Sequence, residues 1–128
     1  MGTRCLVALF LVSSAVAPLA ADDVRADAKK QVQFGITVAQ RGLWREAIYR
    51  WQRATEIDPK YAEALNNLAI AYEHEGDLEK ARVAYEKALE IEPNNALIKQ
   101  NYELFKEIND RTTRKDSQDN QDSRDRIE

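Results

Sequence analysis

The stretch AEALNNLAIAYEHEGDLEKARVAYEKALEIEPNN, Ala62 to Asn95, decides the fold. Leu65, Leu68, Ala69 and Tyr72 keep to one helical stripe, and Ala81, Tyr85 and Ala88 form a second stripe after an interruption at Gly76. This pattern predicts two antiparallel helices joined by a tight turn. Glycine tolerates the left-handed conformation that closes a helix, so Gly76 ends the first helix. Asp77 is then placed to cap the second. Ala81 and Ala88 lie seven apart on one face, where small side chains let two helix axes approach closely. Tyr85 fills the space beside them. Proline cannot continue a helix interior, so Pro93 separates this unit from the next segment of chain.

Working outward, the chain repeats itself at an offset of 34 residues. Pro59 recurs as Pro93, Gly42 as Gly76, Ala47 as Ala81, Trp51 as Tyr85 and Ala54 as Ala88. Phe34 corresponds to Leu68, Gly35 to Ala69, and Glu56-Ile57 to Glu90-Ile91. A first hairpin is therefore expected upstream, with Phe34, Gly35 and Val38 as its apolar stripe. Beyond Pro93, Asn94 or Asn95 can cap one further helix, in which Leu97, Ile98, Tyr102, Phe105 and Ile108 alternate with charged residues. That helix is expected to cover the open end of the second hairpin.

These residues resemble the tetratricopeptide repeat. Residues 62–95 carry Leu65, Leu68, Ala69, Tyr72, Gly76, Ala81, Tyr85, Ala88 and Pro93 at that family's signature spacing. A weaker copy upstream carries Phe34, Gly35, Gly42, Ala47, Trp51, Ala54 and Pro59. It departs at Gln31, where a large apolar residue is usual, and at Val38, where an aromatic is. Such departures suit a terminal repeat without an outer neighbour. The resemblance implies an all-α fold, an α-solenoid of two helical hairpins and a C-terminal capping helix. The expected divisions are a signal peptide at 1–21, the divergent repeat at 22–59, the near-consensus repeat at 60–93, the capping helix at 94–110 and a disordered polar tail at 111–128.

The two ends of the chain differ from its middle. Met1 to Arg4 carry one positive charge, and Cys5 to Ala21 are almost wholly apolar or small, the layout of a secretory signal peptide. Cleavage is expected after Ala20 or Ala21. Retention as an anchor is the competing reading, against which stand Ser13, Ser14, Pro18 and an apolar run short of the ~20 residues that span a bilayer. The one cysteine, Cys5, lies inside this leader, so the processed chain has no thiol for a disulfide, a zinc cluster or a nucleophile. At the other end, RTTRKDSQDNQDSRDRIE has one large apolar residue, Ile127, and is expected to bury too little surface to order itself.

Composition narrows function. A net charge of −3 and a pI near 5.3 argue against a nucleic-acid partner, which requires a clustered excess of Lys and Arg. His74 is the one histidine, and no glycine-rich phosphate loop is present, so the usual metal, triad and phosphate sites lack their residues. No enzyme activity, cofactor or metal is expected, nor a membrane association after leader removal. Trp44 and Trp51 fall at helical spacing and are read as core.

The family resemblance implies a concave surface lined by the first helix of each hairpin. On that surface Ile36, Ile70 and Leu104 occupy one equivalent position, each 34 after the last. Val32 lies beside the row, and Gln33, Gln40, Asn66, Asn67, His74 and Asn101 surround it. These ten residues are the candidate peptide-binding site, with amides for a partner's backbone and aliphatics for its side chains. The bland alternative is that the aliphatics extend the core. Relatives that clamp a chaperone's C-terminal carboxylate use Lys, Asn and Arg at positions that here hold Val32, Ile36, Asn67, Leu97 and Asn101, of which Asn67 alone agrees. Together with the leader, the resemblance implies an exported adaptor or assembly factor for a protein or peptide partner, expected in cell-envelope assembly in a bacterial periplasm, with secretion or a secretory lumen as the alternative for a eukaryotic chain. A self-associating structural module, forming a homo-oligomer through the ends of the stack, is the alternative.

Overall fold

A computed structural model describes residues 19–125. Five helices follow one another: α1 Leu19–Ala39, α2 Trp44–Ile57, α3 Ala62–His74, α4 Leu78–Ile91 and α5 Ala96–Asp125. No strand occurs among the described residues. The leader expected at 1–21 lies outside the described residues except for 19–21, which begin α1. Helix α1 packs on α2, α3 on α4, and the pairs stack through α2 on α3 and α4 on α5. This is the expected all-α solenoid of two hairpins and a closing helix.

The local signals act as their chemistry requires. Gly42 and Gly76 both take φ of 78°, and no other described residue has a left-handed backbone. The Asp77 carboxylate accepts from the Lys80 amide at 3.2 Å and so caps α4. The repeat-equivalent of Asp77 is Leu43, which cannot cap α2 and stands half exposed. Asn95, not Asn94, caps α5, its side-chain oxygen accepting from the amides of Leu97 and Ile98 at 3.1 and 3.2 Å. Pro59 and Pro93 stand in the turns between hairpins.

The core follows from close helix approach. Ala47, Ala54, Ala81 and Ala88 are wholly buried, and Trp51 and Tyr85 wedge beside them. In the first hairpin Gly35 lies directly under the Trp51 indole, and a Cβ added there would collide with the indole nitrogen. That nitrogen uses the space to donate to the Val32 carbonyl at 3.1 Å. In the second hairpin Ala69 replaces the glycine and the smaller phenol of Tyr85 replaces the indole, so volume is exchanged across the pair. The Tyr85 hydroxyl donates to Glu73, and burial, followed by that bond, pushes its pKa up. Arg25 ties α1 to the next connection. It pairs with Asp58 and lies 4.6 Å over the Tyr61 ring, and burial with a bond to Glu63 raises the Tyr61 hydroxyl to about 12.

Two expectations are corrected. Phe34 does not join the core stripe: it is 47% exposed, because α1 has no helix packed on its outer side, and the Arg50 guanidinium covers its ring at 4.2 Å. The tail expected to be disordered from 111 continues α5 as helix to Asp125, past the boundary expected at 110. Poverty in apolar residues prevents burial but does not break a helix, and the chain has neither Gly nor Pro after Pro93. Glu107 pairs with Arg111 one turn on, and Thr112 Oγ1 donates to the Ile108 carbonyl at 3.0 Å. Arg111, Thr112, Arg114 and Lys115 stay exposed.

Two substitutions test this packing in opposite directions. Gly35→Ala drives a methyl into the indole and is expected to cost about 1–3 kcal/mol, with Trp51→Tyr in the same chain recovering part of it. Gln31, where Leu65 stands one repeat later, leaves its Oε1 buried without a partner. Gln31→Leu is expected to raise stability by about 1–2 kcal/mol. Urea unfolding midpoints read both; a stabilising Gly35→Ala contradicts the close approach.

Candidate peptide-binding groove

The side of each first helix that turns away from its hairpin partner lines a groove. Its deepest part is a cavity of about 310 Å³ bounded by Ile36, Ala39 and Gln40 of α1 and the adjoining turn, Trp44 and Trp51 of α2, and Asn67 and Ile70 of α3. The walls are mainly aliphatic and aromatic, with the two amides as the polar groups. Trp51 forms part of the lining while remaining 3% exposed, so it is a core residue as expected. Trp44 is different. It begins α2 at the rim and stacks on the His74 imidazole, with ring centroids 4.0 Å apart and planes inclined by 22°.

The ten residues singled out from sequence divide into three groups. Ile36, Gln40, Asn67 and Ile70 come together in the cavity, and His74 stands at its rim through Trp44. Asn101 and Leu104 extend the same face onto α5, where Leu104 is 54% exposed. The Asn101 amide donates to Asn66 Oδ1 at 3.1 Å, which fixes this face of α5 beside that of α3. Val32, Gln33 and Asn66 are corrections. Val32 is wholly buried and packs in the core, so the bland alternative holds for it. Asn66 is buried and linked to Asn101, with a structural role. Gln33 lies on the outer face of α1 with Phe34 and Thr37, one helical position too far round.

Sequence reasoning misses three residues. Trp44 reads as core from its spacing, although its repeat-equivalent, Leu78, is 42% exposed in the sibling hairpin. Leu97 and Ile108, 61% and 52% exposed, share the face of Leu104 at helical spacings of seven and four. Their signal is that spacing, which separates them from Ile98, Tyr102 and Phe105, the residues that pack on the Tyr85 side. One further polar feature is local to the cavity. The Asn67 side-chain nitrogen is buried and has no hydrogen-bond partner among the described residues. A buried donor without an acceptor is unfavourable; the nitrogen is closed to solvent, so an incoming oxygen satisfies it only after the amide turns towards the cavity.

A second cavity of similar size opens between α2, α3 and α4, lined in part by Leu65, Leu68, Tyr72 and Val83 with Glu79, Lys80 and Lys87. It is crossed by the Gln52 amide donating to the Tyr72 hydroxyl at 3.0 Å, and the Lys80 ammonium lies 5.6 Å from that ring. Of its charged groups, Glu79 pairs with Arg82 and Lys80 with Asp77, both outside the cavity. Among the described residues no group of three or more His, Cys, Asp or Glu side chains could hold a metal ion. No helix there is long and apolar enough to cross a membrane.

Comparison with known proteins agrees with this geometry. The family model described as tetratricopeptide repeat matches residues 62–95, and a second, described as TPR repeat, matches 38–76. The chain is a tetratricopeptide-repeat protein, and such a module is a protein-interaction scaffold. It is 35% identical over 89 residues to the type IV pilus assembly protein PilF of Pseudomonas aeruginosa, covering 69% of this chain and 35% of that protein. It is 33% identical over 69 residues to small glutamine-rich tetratricopeptide repeat-containing protein 2 of Mycosarcoma maydis, covering 54% of this chain and 20% of the relative. The chain thus spans about a third or less of these curated relatives. Among solved structures, the C-terminal TPR-containing domain of an FK506-binding protein from Plasmodium falciparum superposes with a TM-score of 0.63 at 21% identity, covering 82% of this chain and 71% of that one. That likeness establishes the fold.

Asn101, the partner of Asn66, and Asn67 should respond oppositely to substitution. Asn101→Ala strands the buried Asn66 oxygen and is expected to lower stability by about 1–3 kcal/mol, whereas Asn67→Leu removes an unpaired buried donor and should be neutral or stabilising by about 1 kcal/mol. Chemical unfolding of both variants decides. A large loss for Asn67→Leu would mean that its amide is satisfied within the fold.

Proposed function

We propose that this chain is an exported adaptor that holds a peptide segment of a partner protein in the groove formed by α1, α3 and α5. The observation that carries the reading is the apolar cavity with the unpaired Asn67 donor in its wall. Ile36, Ile70 and Leu104 take the partner's apolar side chains, Gln40 and Asn67 its backbone groups, and Trp44 with His74 borders the entrance. The revised site omits Val32, Gln33 and Asn66. Its role is binding and placement, with no catalytic step. Export is supported by the charged start and apolar run ahead of α1. A place in cell-envelope assembly is supported by the likeness to a pilus assembly protein. Self-association through the stack's ends is the second reading; the outer face of α1 that it would use carries the exposed Phe34 among the polar Lys30, Gln33 and Thr37.

A photo-crosslinker in place of Ile70, used in the full chain against an envelope fraction with peptide mapping of the product, should attach one recurring partner segment. A synthetic copy of that segment should then perturb tryptophan emission through Trp44 and Trp51. Combined Ile70→Glu and Leu104→Glu should weaken its binding at least about tenfold, since each buries a charge against apolar surface, with helical circular dichroism unchanged. Undiminished binding rules out the groove. A C-terminal reporter active only outside the cytoplasm tests export. An inactive reporter removes it, and an N-terminus that never shortens to the residue after Ala20 or Ala21 assigns the leader to a retained anchor.

A further inference from the structure

The groove does not end at the cavity. On α5, Leu97, Asn101, Leu104, Ile108, Arg111 and Lys115 recur at spacings of four and three, which places all six on one face of the helix. The Asn101 to Asn66 bond sets that face alongside Ile70 and Asn67 on α3. From Ile36 through Ile70 to Ile108 the named groove residues carry no formal charge, so the first fixed charges met along this path are cations. Arg111 is held by Glu107 in an exposed pair, which competes weakly with a partner's carboxylate. Lys115 makes no ion pair among the described residues. Arg111, Arg114 and Lys115 stand without a carboxylate between them, flanked by Glu107 and Asp110 before and Asp116 after, in a chain whose net charge is −3.

We infer that the groove selects partner segments in which an uncharged aliphatic run is followed by carboxylates, the run lying on Ile70, Leu104 and Ile108 and the carboxylates reaching Arg111 and Lys115. This rests on the groove reading above and adds to it a polarity and a charge preference. Opposite charges placed at the end of an apolar contact favour one orientation and reject partners with basic flanks. An anionic bilayer offers the same chemistry in another form, but Ile70 lines a concave cavity of about 310 Å³ with Ile36 and Asn67, which a side chain of a segment can enter and a bilayer surface cannot.

The test uses the full chain and labelled synthetic peptides that share one aliphatic run and are flanked at one end by glutamates, glutamines or lysines. In fluorescence anisotropy at low ionic strength, the glutamate peptide should bind about two- to tenfold tighter than the glutamine peptide, the range that two exposed ion pairs supply. Added salt should shrink the difference. Arg111→Glu with Lys115→Glu should reverse the order in favour of the lysine peptide, and Leu104→Ala should weaken all three alike. Equal affinities for the three peptides overturn the charge preference and leave the groove standing. Failure of every peptide to bind overturns both. Vesicles containing phosphatidylserine should not bind; binding that Lys115→Glu abolishes would assign this face to a membrane and overturn the inference.

Discussion

The close approach of the two helices in each hairpin is the constraint on which everything else rests. It exists because Ala47, Ala54, Ala81 and Ala88 present almost no side chain at the contact, leaving room for one aromatic wedge per hairpin. The wedge differs between repeats, and its opposing residue differs in compensation: Trp51 stands over Gly35, and Tyr85 faces the helix that carries Ala69. The larger ring also gains a polar anchor on the Val32 carbonyl, while the phenol finds Glu73. Each ring is thus fixed at both its body and its tip. Fixing the hairpin also fixes which residues of the first helices cannot face the second, and those residues form the groove.

The groove is therefore a by-product of packing that later residues have specialised. Ile36 and Ile70 lie at one repeat position and both line the cavity, Ile36 partly buried against the core and Ile70 37% exposed. Their aliphatic character leaves apolar surface in a concave place, where contiguous apolar patches mark interaction sites. Asn67 adds a buried donor without an acceptor, a local cost that binding would relieve. On the proposed reading, stability and function pull in opposite directions at this position, which is common where a site is built into a small fold.

The parts of this architecture that are legible in the amino-acid sequence are those set by local chemistry. A glycine at the end of an apolar stripe marks a helix end because other residues resist its backbone angle, and Gly42 and Gly76 have that angle. Pro59 and Pro93 mark the turns for an equally local reason. Face assignments are less secure, because one residue step turns a helix by about 100°, and the orientation of that helix is decided by neighbours distant in sequence. Val32 and Gln33 straddle the groove and belong to neither wall: one faces the core and the other the outer solvent. Phe34 matches Leu68 in the repeat, but Leu68 has flanking helices that Phe34 lacks. For the tail, composition speaks to burial alone, and the helix continues without burial because nothing in it interrupts one.

The two faces that bound the stack limit what the groove can hold. At the positions where α3 and α5 contribute Ala64 with Ala71 and Ile98 with Phe105, all buried, α1 carries exposed Lys30 and Thr37. On α5, the positions equivalent to Leu65, Ala69 and Tyr72 are Lys99, Glu103 and Lys106, of which the first two are exposed. The groove therefore crosses three first helices, α1, α3 and α5. A second helix lies between each successive pair in the stack, yet on the inner side the first helices adjoin closely enough for Asn101 to reach Asn66 at 3.1 Å. With helix axes about 8–10 Å apart, the path from α1 to α5 is roughly 20 Å. At about 3.3 Å per residue, an extended segment of about six residues fills that distance. If the groove is the binding site proposed above, one of this length recognises a short linear element, and its specificity would come from a few positions: the aliphatics at Ile36, Ile70 and Leu104, the amide of Asn67, and the charges farther along α5.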